Sequence, residues 1–153
     1  MKEHSDWKGR KILIVDDDHS YRTIMSIILR ARGFEVREAA RGDDAVQLAE
    51  SDSPDLILLD ILMPNISGFD TLRLLRKNKK THRVPVVMVT ARDLAKDSIR
   101  SFQSGADGFL QKPHDWESIK KAFGGLLDNG PEGGTERSRS ARWRQERGGP
   151  TRA

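Results

Sequence analysis

Short apolar runs recur along this chain, separated by stretches in which apolar residues return every three or four positions. The runs Ile12-Leu13-Ile14-Val15, Leu56-Ile57-Leu58-Leu59 and Val86-Val87-Met88-Val89 are continuous rather than alternating, as expected of strands covered on both faces. Together with two weaker segments they predict five strands, over residues 11–15, 34–38, 55–59, 85–89 and 107–111. The second, Phe34-Glu35-Val36-Arg37-Glu38, alternates apolar with charged and so belongs at a sheet edge.

Helical spacing fills the intervals. Tyr21, Ile24, Met25, Ile28 and Leu29 make the inward stripe of a first helix that stops at Gly33. Ala45, Leu48 and Ala49 line a second, opened near Gly42-Asp43. Phe69, Leu72 and Leu75 line a third, with Ser67 as its cap. Leu94, Ile99 and Phe102 mark a fourth that ends before Gly105, and Trp116, Ile119, Phe123 and Leu126 a fifth. Strands alternating with helices in this way give an α/β fold, a parallel sheet doubly wound by helices.

Composition changes after Leu127. Residues 128–153 hold five Gly, two Pro and six Arg against four acids, with Ala141, Trp143 and Ala153 as the apolar residues. Such a segment buries too little surface to offset its ordering entropy, so a disordered Arg/Gly-rich tail is expected there. Residues 1–10 read as a flexible lead-in, which leaves one folded domain over residues 11–127. Net charge is +4, split between the domain and the tail, which argues against a concentrated nucleic-acid-binding face. The chain has no cysteine, no signal-peptide pattern at Met1–Arg10, and no apolar stretch of membrane-spanning length, which fits a cytoplasmic protein.

The chemistry collects at the carboxyl ends of the predicted strands. The first run ends in Asp16-Asp17-Asp18, the third in Asp60, the fourth in Thr90, and Lys112 follows the fifth. In an open α/β sheet ligands bind at that edge, so these groups converge. A carboxylate at the exit of a buried strand is costly unless chemistry or a metal uses it. Several acids at close quarters demand a cation, and oxygen-only ligands favour Mg²⁺. With Mg²⁺ and Lys112 supplying positive charge, an Asp oxygen would be able to take a phosphoryl group as nucleophile. Thr90 would then donate a hydroxyl hydrogen bond to one phosphoryl oxygen and Lys112 an ammonium to another. Asp18 is read separately, as the cap of the first helix.

Five ordered segments resemble the receiver domain of two-component response regulators, the chemotaxis-regulator type of fold. They are Ile14-Val15-Asp16-Asp17-Asp18, Leu58-Leu59-Asp60-Ile61-Leu62-Met63-Pro64, Gly68, Val89-Thr90-Ala91 and Phe109-Leu110-Gln111-Lys112-Pro113. The resemblance runs from about Lys11 to Leu127 and implies a flavodoxin-like (βα)5 architecture with strand order 2-1-3-4-5. It further implies that Asp60 is the phosphoacceptor and that Asp16 and Asp17, with Asp60 and the Leu62 carbonyl, hold Mg²⁺. Thr90 falls on the family's switch hydroxyl, Lys112 on its phosphate-contacting lysine, Pro113 on a position that is typically cis, and Phe109 on its aromatic switch. A sensor histidine kinase or histidine phosphotransfer protein would donate to Asp60. Thr90 would move inward with Phe109 following, remodelling the surface of the fourth helix, fifth strand and fifth helix for a downstream protein. Leu62 and Arg92 fall two residues beyond the acceptor and the switch hydroxyl, where this family tunes phosphoryl lifetime. Leucine offers no hydrogen bond to an attacking water, so slow self-dephosphorylation is expected.

Other readings stay open at this point. Phe109 also fits as a plain core ring. His19, His82 and His114 have no metal-ligand spacing and read as exposed and inert. The Arg-rich tail would be solvated, or touch nucleic acid or an anionic membrane weakly. The sequence carries no DNA-binding or catalytic motif after Leu127, so a stand-alone, non-enzymatic regulator is the first reading. A haloacid-dehalogenase-like phosphatase is the second, its D-x-D opening read at Asp16–Asp18 and its later acidic pair taken from Asp115 and Glu117. A scaffold receiver that acts without phosphorylation is the third.

Overall fold

The computed structural model describes residues 7–91, 104–112 and 114–128. Five parallel strands, β1 (Lys11–Val15), β2 (Glu35–Ala39), β3 (Leu56–Asp60), β4 (Val86–Thr90) and β5 (Gly108–Gln111), form one sheet in the order β2-β1-β3-β4-β5. Four described helices wrap it: α1 (His19–Ala31), α2 (Gly42–Asp52), α3 (Gly68–Lys77) and α4 (Trp116–Leu127). The helix expected around Leu94, Ile99 and Phe102 lies outside the described residues, as do Arg92, Pro113 and residues 129–153.

Alternation along the strands divides the core into two layers. Ile12, Ile14, Leu56, Leu58, Val87 and Val89 pack with Met25, Leu29, Ile119 and Phe123 of α1 and α4. Leu13, Val15, Ile57, Leu59, Val86 and Met88 pack on the other face with Ala45, Ala49, Phe69, Leu72 and Leu75 of α2 and α3. The two-residue period of a strand thus feeds both layers from one apolar run. β2, the alternating segment, is an edge strand as expected.

Strands β2 to β5 each begin one residue later than the apolar runs suggest. Before β4, Pro85 has no N–H for the ladder and contributes its carbonyl to Ile57. The shift matters because pairing extends through Asp60 and Thr90, which register with Val89 and Gln111. Both candidate side chains therefore sit on strand rather than in loops.

Helix ends follow their caps. Asp18 accepts hydrogen bonds from the Ser20 and Tyr21 N–H groups, as expected, and Ser67 and Asp70 form a reciprocal capping box on α3. The first helix keeps most of the expected stripe, with Met25 and Leu29 buried and Tyr21 and Ile28 packed against the core. Ile24, 57% exposed, departs from it, and Ser26 is buried instead. Ser26 faces inward because its hydroxyl donates to Glu38 of β2, 2.8 Å away.

The expected loose lead-in is packed from Trp7 onward. Trp7 is 2% exposed, lies against Phe34 and Phe123, and donates its indole N–H to Asp128 at 2.9 Å. Arg10 is buried beside it and donates to the Leu127 carbonyl at 2.8 Å. Charged neighbours concealed this anchor, since one aromatic in a polar decapeptide has no periodicity to read. Asp128, assigned by composition to the tail, is the C-cap of α4.

Candidate functional site

At the carboxyl edge of the sheet, Asp16, Asp17 and Asp60 bring one oxygen each within 4.8 Å of one another. Asp16 directly follows β1 and is 1% exposed, Asp60 ends β3 and is 5% exposed, and Asp17 is open to solvent. The neighbouring strands β1 and β3 fix the spacing, because Val15 registers with Leu59 one step before both acids.

The Lys112 ammonium lies 2.7 Å from Asp16 Oδ2 and 3.8 Å from Asp60 Oδ1. Its backbone N–H donates to the Thr90 carbonyl at 2.7 Å, which prolongs the β4–β5 ladder by one bond. Thr90 is fully buried at the end of β4. Asp16 Oδ1 accepts from the Asp18 N–H at 2.9 Å, and the Asp16 carbonyl accepts from Arg22 at 2.8 Å. Arg22 is itself paired with Glu38.

Burial, then the Asp16 charge, pushes the Asp60 carboxyl up to about 7, against the lowering influence of Lys112 and of the Leu62 N–H that donates to it. One ammonium does not neutralise three carboxylates, so the cluster calls for a further cation. Its donor set is oxygen only, partly buried and partly open, which fits a hard divalent ion that keeps waters.

The β3–α3 connection is shaped by Gly68. Its N–H donates to the Ile61 carbonyl at 2.9 Å, and a Cβ added there would run into the Asp60 carbonyl. Asn65 adopts a left-handed conformation, φ 69°, in the same loop.

Apart from Arg92 and Pro113, the site residues singled out from the sequence lie within the described residues. Asp16, Asp17, Asp60 and Lys112 are together, and Thr90 is at the adjacent strand end. Phe109 registers with Met88 on β4 and is half-buried against the α2–α3 layer. The Leu62 side chain is exposed beside the acids. The phosphatase reading loses its second acidic pair: Asp115 caps α4 through the Ser118 N–H, and Glu117 points to solvent beside Lys120.

His114 is not the inert exposed side chain expected. Its Nε2 meets the Tyr21 hydroxyl at 2.7 Å, and Lys112 lies over the Tyr21 ring. The apolar spacing of α1 assigns Tyr21 to packing only. The available signal was its place four residues after Asp17, one helical turn beyond the acids. Nothing in the sequence pointed to His114, because its partner is 93 residues away.

Comparison with known proteins agrees with this geometry. A family model for the response regulator receiver domain matches residues 12–123. The DNA-binding dual master transcriptional regulator RpaA of Synechocystis is 39% identical over 117 residues, covering 76% of this chain and 48% of that protein. Protein PilH of Pseudomonas aeruginosa is 37% identical over 117 residues, covering 76% of this chain and 97% of that protein. This chain thus spans about half the length of the first relative and nearly all of the second. The structure of Vibrio cholerae chemotaxis protein CheY4 superposes with a TM-score of 0.73 at 31% identity, over 78% of this chain and 99% of that one. A match across most of the folded residues, joined to acids, hydroxyl and lysine at one sheet edge, places the chain in the response regulator receiver domain family.

Proposed function

We propose that this protein accepts a phosphoryl group on Asp60 and uses it to switch a protein-binding surface. The observation that carries the reading is the Asp16–Asp17–Asp60 cluster with the Lys112 ammonium reaching both buried acids. Asp16, Asp17, Asp60 and the Leu62 carbonyl would hold Mg²⁺, which when bound offsets charge on the phosphoryl oxygens and holds them for in-line transfer.

An Asp60 carboxylate oxygen attacks the phosphorus of a phosphohistidine on a sensor kinase or phosphotransfer protein. The new O–P bond forms as the P–N bond breaks, its electron pair returning to the imidazole nitrogen. Lys112 and the Thr90 hydroxyl donate to the phosphoryl oxygens, Lys112 from its position between the acids and Thr90 from the end of β4. The chain catalyses only its own phosphorylation and dephosphorylation, and the exchange takes place in the cytoplasm.

The output follows from differential contacts. Phosphoryl contact draws Thr90 inward and Phe109 follows, biasing one arrangement of the surface over another. A shallow cleft lined by Phe109, Gln111, Lys112, Ser118, Lys121 and Ala122 supports the β5–α4 side as part of that surface.

The test is intact mass after incubation with Mg²⁺ and acetyl phosphate, for the parent chain and Asp60→Asn. One added phosphoryl on the parent and none on the variant is expected. Equal labelling of both would overturn the assignment of Asp60, and absence of label on the parent would favour a scaffold that works without phosphorylation.

A further inference from the structure

Tyr21 of α1 is held at two points by the segment that follows β5. Lys112 covers the ring face, its ammonium nitrogen 4.1 Å from the ring centroid. His114, two residues on, meets the phenolic oxygen at 2.7 Å, and the two rings stand edge to face at 89°. Among the described residues the His114 Nδ1 finds no hydrogen-bond partner, so the Tyr21 hydroxyl is the contact that orients this imidazole. Burial, with Asp16 and Asp60 nearby, raises the Tyr21 phenol well above its ordinary range and keeps it protonated. Burial, then Lys112, lowers His114 and favours the neutral imidazole. A single hydrogen bond between two neutral groups thus joins the hydroxyl and Nε2.

We propose that Tyr21 is a positioning residue for Lys112: its ring face holds the ammonium between Asp16 and Asp60, and its hydroxyl, latched to His114, fixes the angle of that face. The inference rests on the reading of Lys112 given under Proposed function. A lysine head on a four-carbon stem is a mobile point charge, and carboxylates alone would draw it to the nearer acid. Here that acid is Asp16 at 2.7 Å, not the acceptor Asp60 at 3.8 Å. Any cation bound by Asp16 also weakens that ion pair. The ring quadrupole attracts an ammonium without neutralising it and without competing for a carboxylate oxygen. Tyr21 thus retains Lys112 at the site when the hold of Asp16 loosens, and leaves its N–H groups available to an incoming anion.

The test uses the full chain with Tyr21→Phe, Tyr21→Leu and Lys112→Ala, singly and with Tyr21→Leu combined with Lys112→Ala. Initial rates of phosphoryl uptake from acetyl phosphate with Mg²⁺ are measured alongside the Lys112 ε-methylene proton shifts. In the parent and Tyr21→Phe those protons are displaced upfield by the ring current; in Tyr21→Leu they return to ordinary values. Tyr21→Leu slows uptake about fivefold, the scale expected for loss of one cation–π contact, and Tyr21→Phe, which keeps the ring but loses the latch to His114, slows it about twofold. In the Lys112→Ala background Tyr21→Leu costs nothing further, because the two residues act as a unit. Unshifted Lys112 protons in the parent overturn the proposal, as does a Tyr21→Leu loss of the same size with Lys112 already removed. A parent that shows the ring-current shift yet takes up no phosphoryl overturns the phosphoacceptor reading and leaves the Tyr21–Lys112 contact standing.

Discussion

Gly68 packs against the backbone of β3 so closely that a Cβ on it would meet the Asp60 carbonyl oxygen and the Ile61 Cα. The obstacle is main chain on both counts, so no rotamer change relieves it. Gly68→Ala is expected to destabilise the fold by about 2–3 kcal/mol, as overpacking against a fixed backbone does. Urea unfolding should show a lower midpoint with an unchanged slope. An unaltered midpoint would mean the β3–α3 loop moves freely away from Asp60.

The raised Asp60 carboxyl carries a pH signature. Between 3.8 and about 7 the folded chain binds a proton at Asp60 that the unfolded chain releases. That contribution to stability is present below the lower value and is lost as pH rises through about 7. In chelator, Asp60→Asn should therefore be more stable than the parent at pH 8 by on the order of 1–3 kcal/mol, after discounting for solvent screening. The difference should shrink toward zero by about pH 4, where the parent carboxyl is neutral as well. Equal stability of the two chains at pH 8 would contradict the carboxyl shift.

Mg²⁺ should stabilise the folded chain by mass action, since the unfolded chain has no assembled acid cluster. Thermal unfolding of the parent is expected to move up by a few degrees in millimolar Mg²⁺ and to return on chelation. Asp16→Asn and Asp17→Asn should each remove most of that response. A Mg²⁺ response in Asp17→Asn equal to that of the parent would exclude Asp17 from the site.

Trp7 ties the start of the chain to the end of α4. Trp7→Ala removes a fully buried ring and the hydrogen bond to Asp128, an expected loss of about 3–5 kcal/mol. Trp7→Phe should recover roughly half of it by keeping the contact with Phe34 and Phe123. Because Trp7 lies at the opposite end of the sheet, the phosphorylation rate per folded molecule should not change in either variant.

Leu62 is expected to lengthen the life of a phosphoryl group on Asp60. Its half-exposed side chain offers no hydrogen bond to a water attacking the phosphoryl group. The phosphorylated chain is expected to persist for minutes, and Leu62→Asn to shorten that, read as loss of the added mass with time. Hydrolysis within seconds in the parent would sink the expectation.

The layers and most of the site were legible because strand periodicity and strand-end chemistry are local. Ile12 to Val15 and Leu56 to Leu59 announce buried strands within four residues each, and the acids follow immediately. Ile24 misled because it lies at the rim of the α1 stripe, where the inward place beside Met25 is taken by Ser26, hydrogen-bonded to Glu38. Trp7 and His114 were illegible for a related reason: their partners, Asp128 and Tyr21, are 121 and 93 residues distant.

The sequence alone determined which segments become buried strands, about where the described helices begin, and which acids, hydroxyl and lysine stand at strand exits. Those properties depend on neighbours within a few positions, where apolar spacing and caps act directly. Tertiary structure decided what those groups touch. It placed Lys112 on the Tyr21 ring between two acids, turned His114 from bystander to latch, and sealed the opposite end of the sheet with Trp7. Such contacts join segments that meet only when the sheet closes, so their energies depend on the register and tilt of whole elements, which no local pattern specifies.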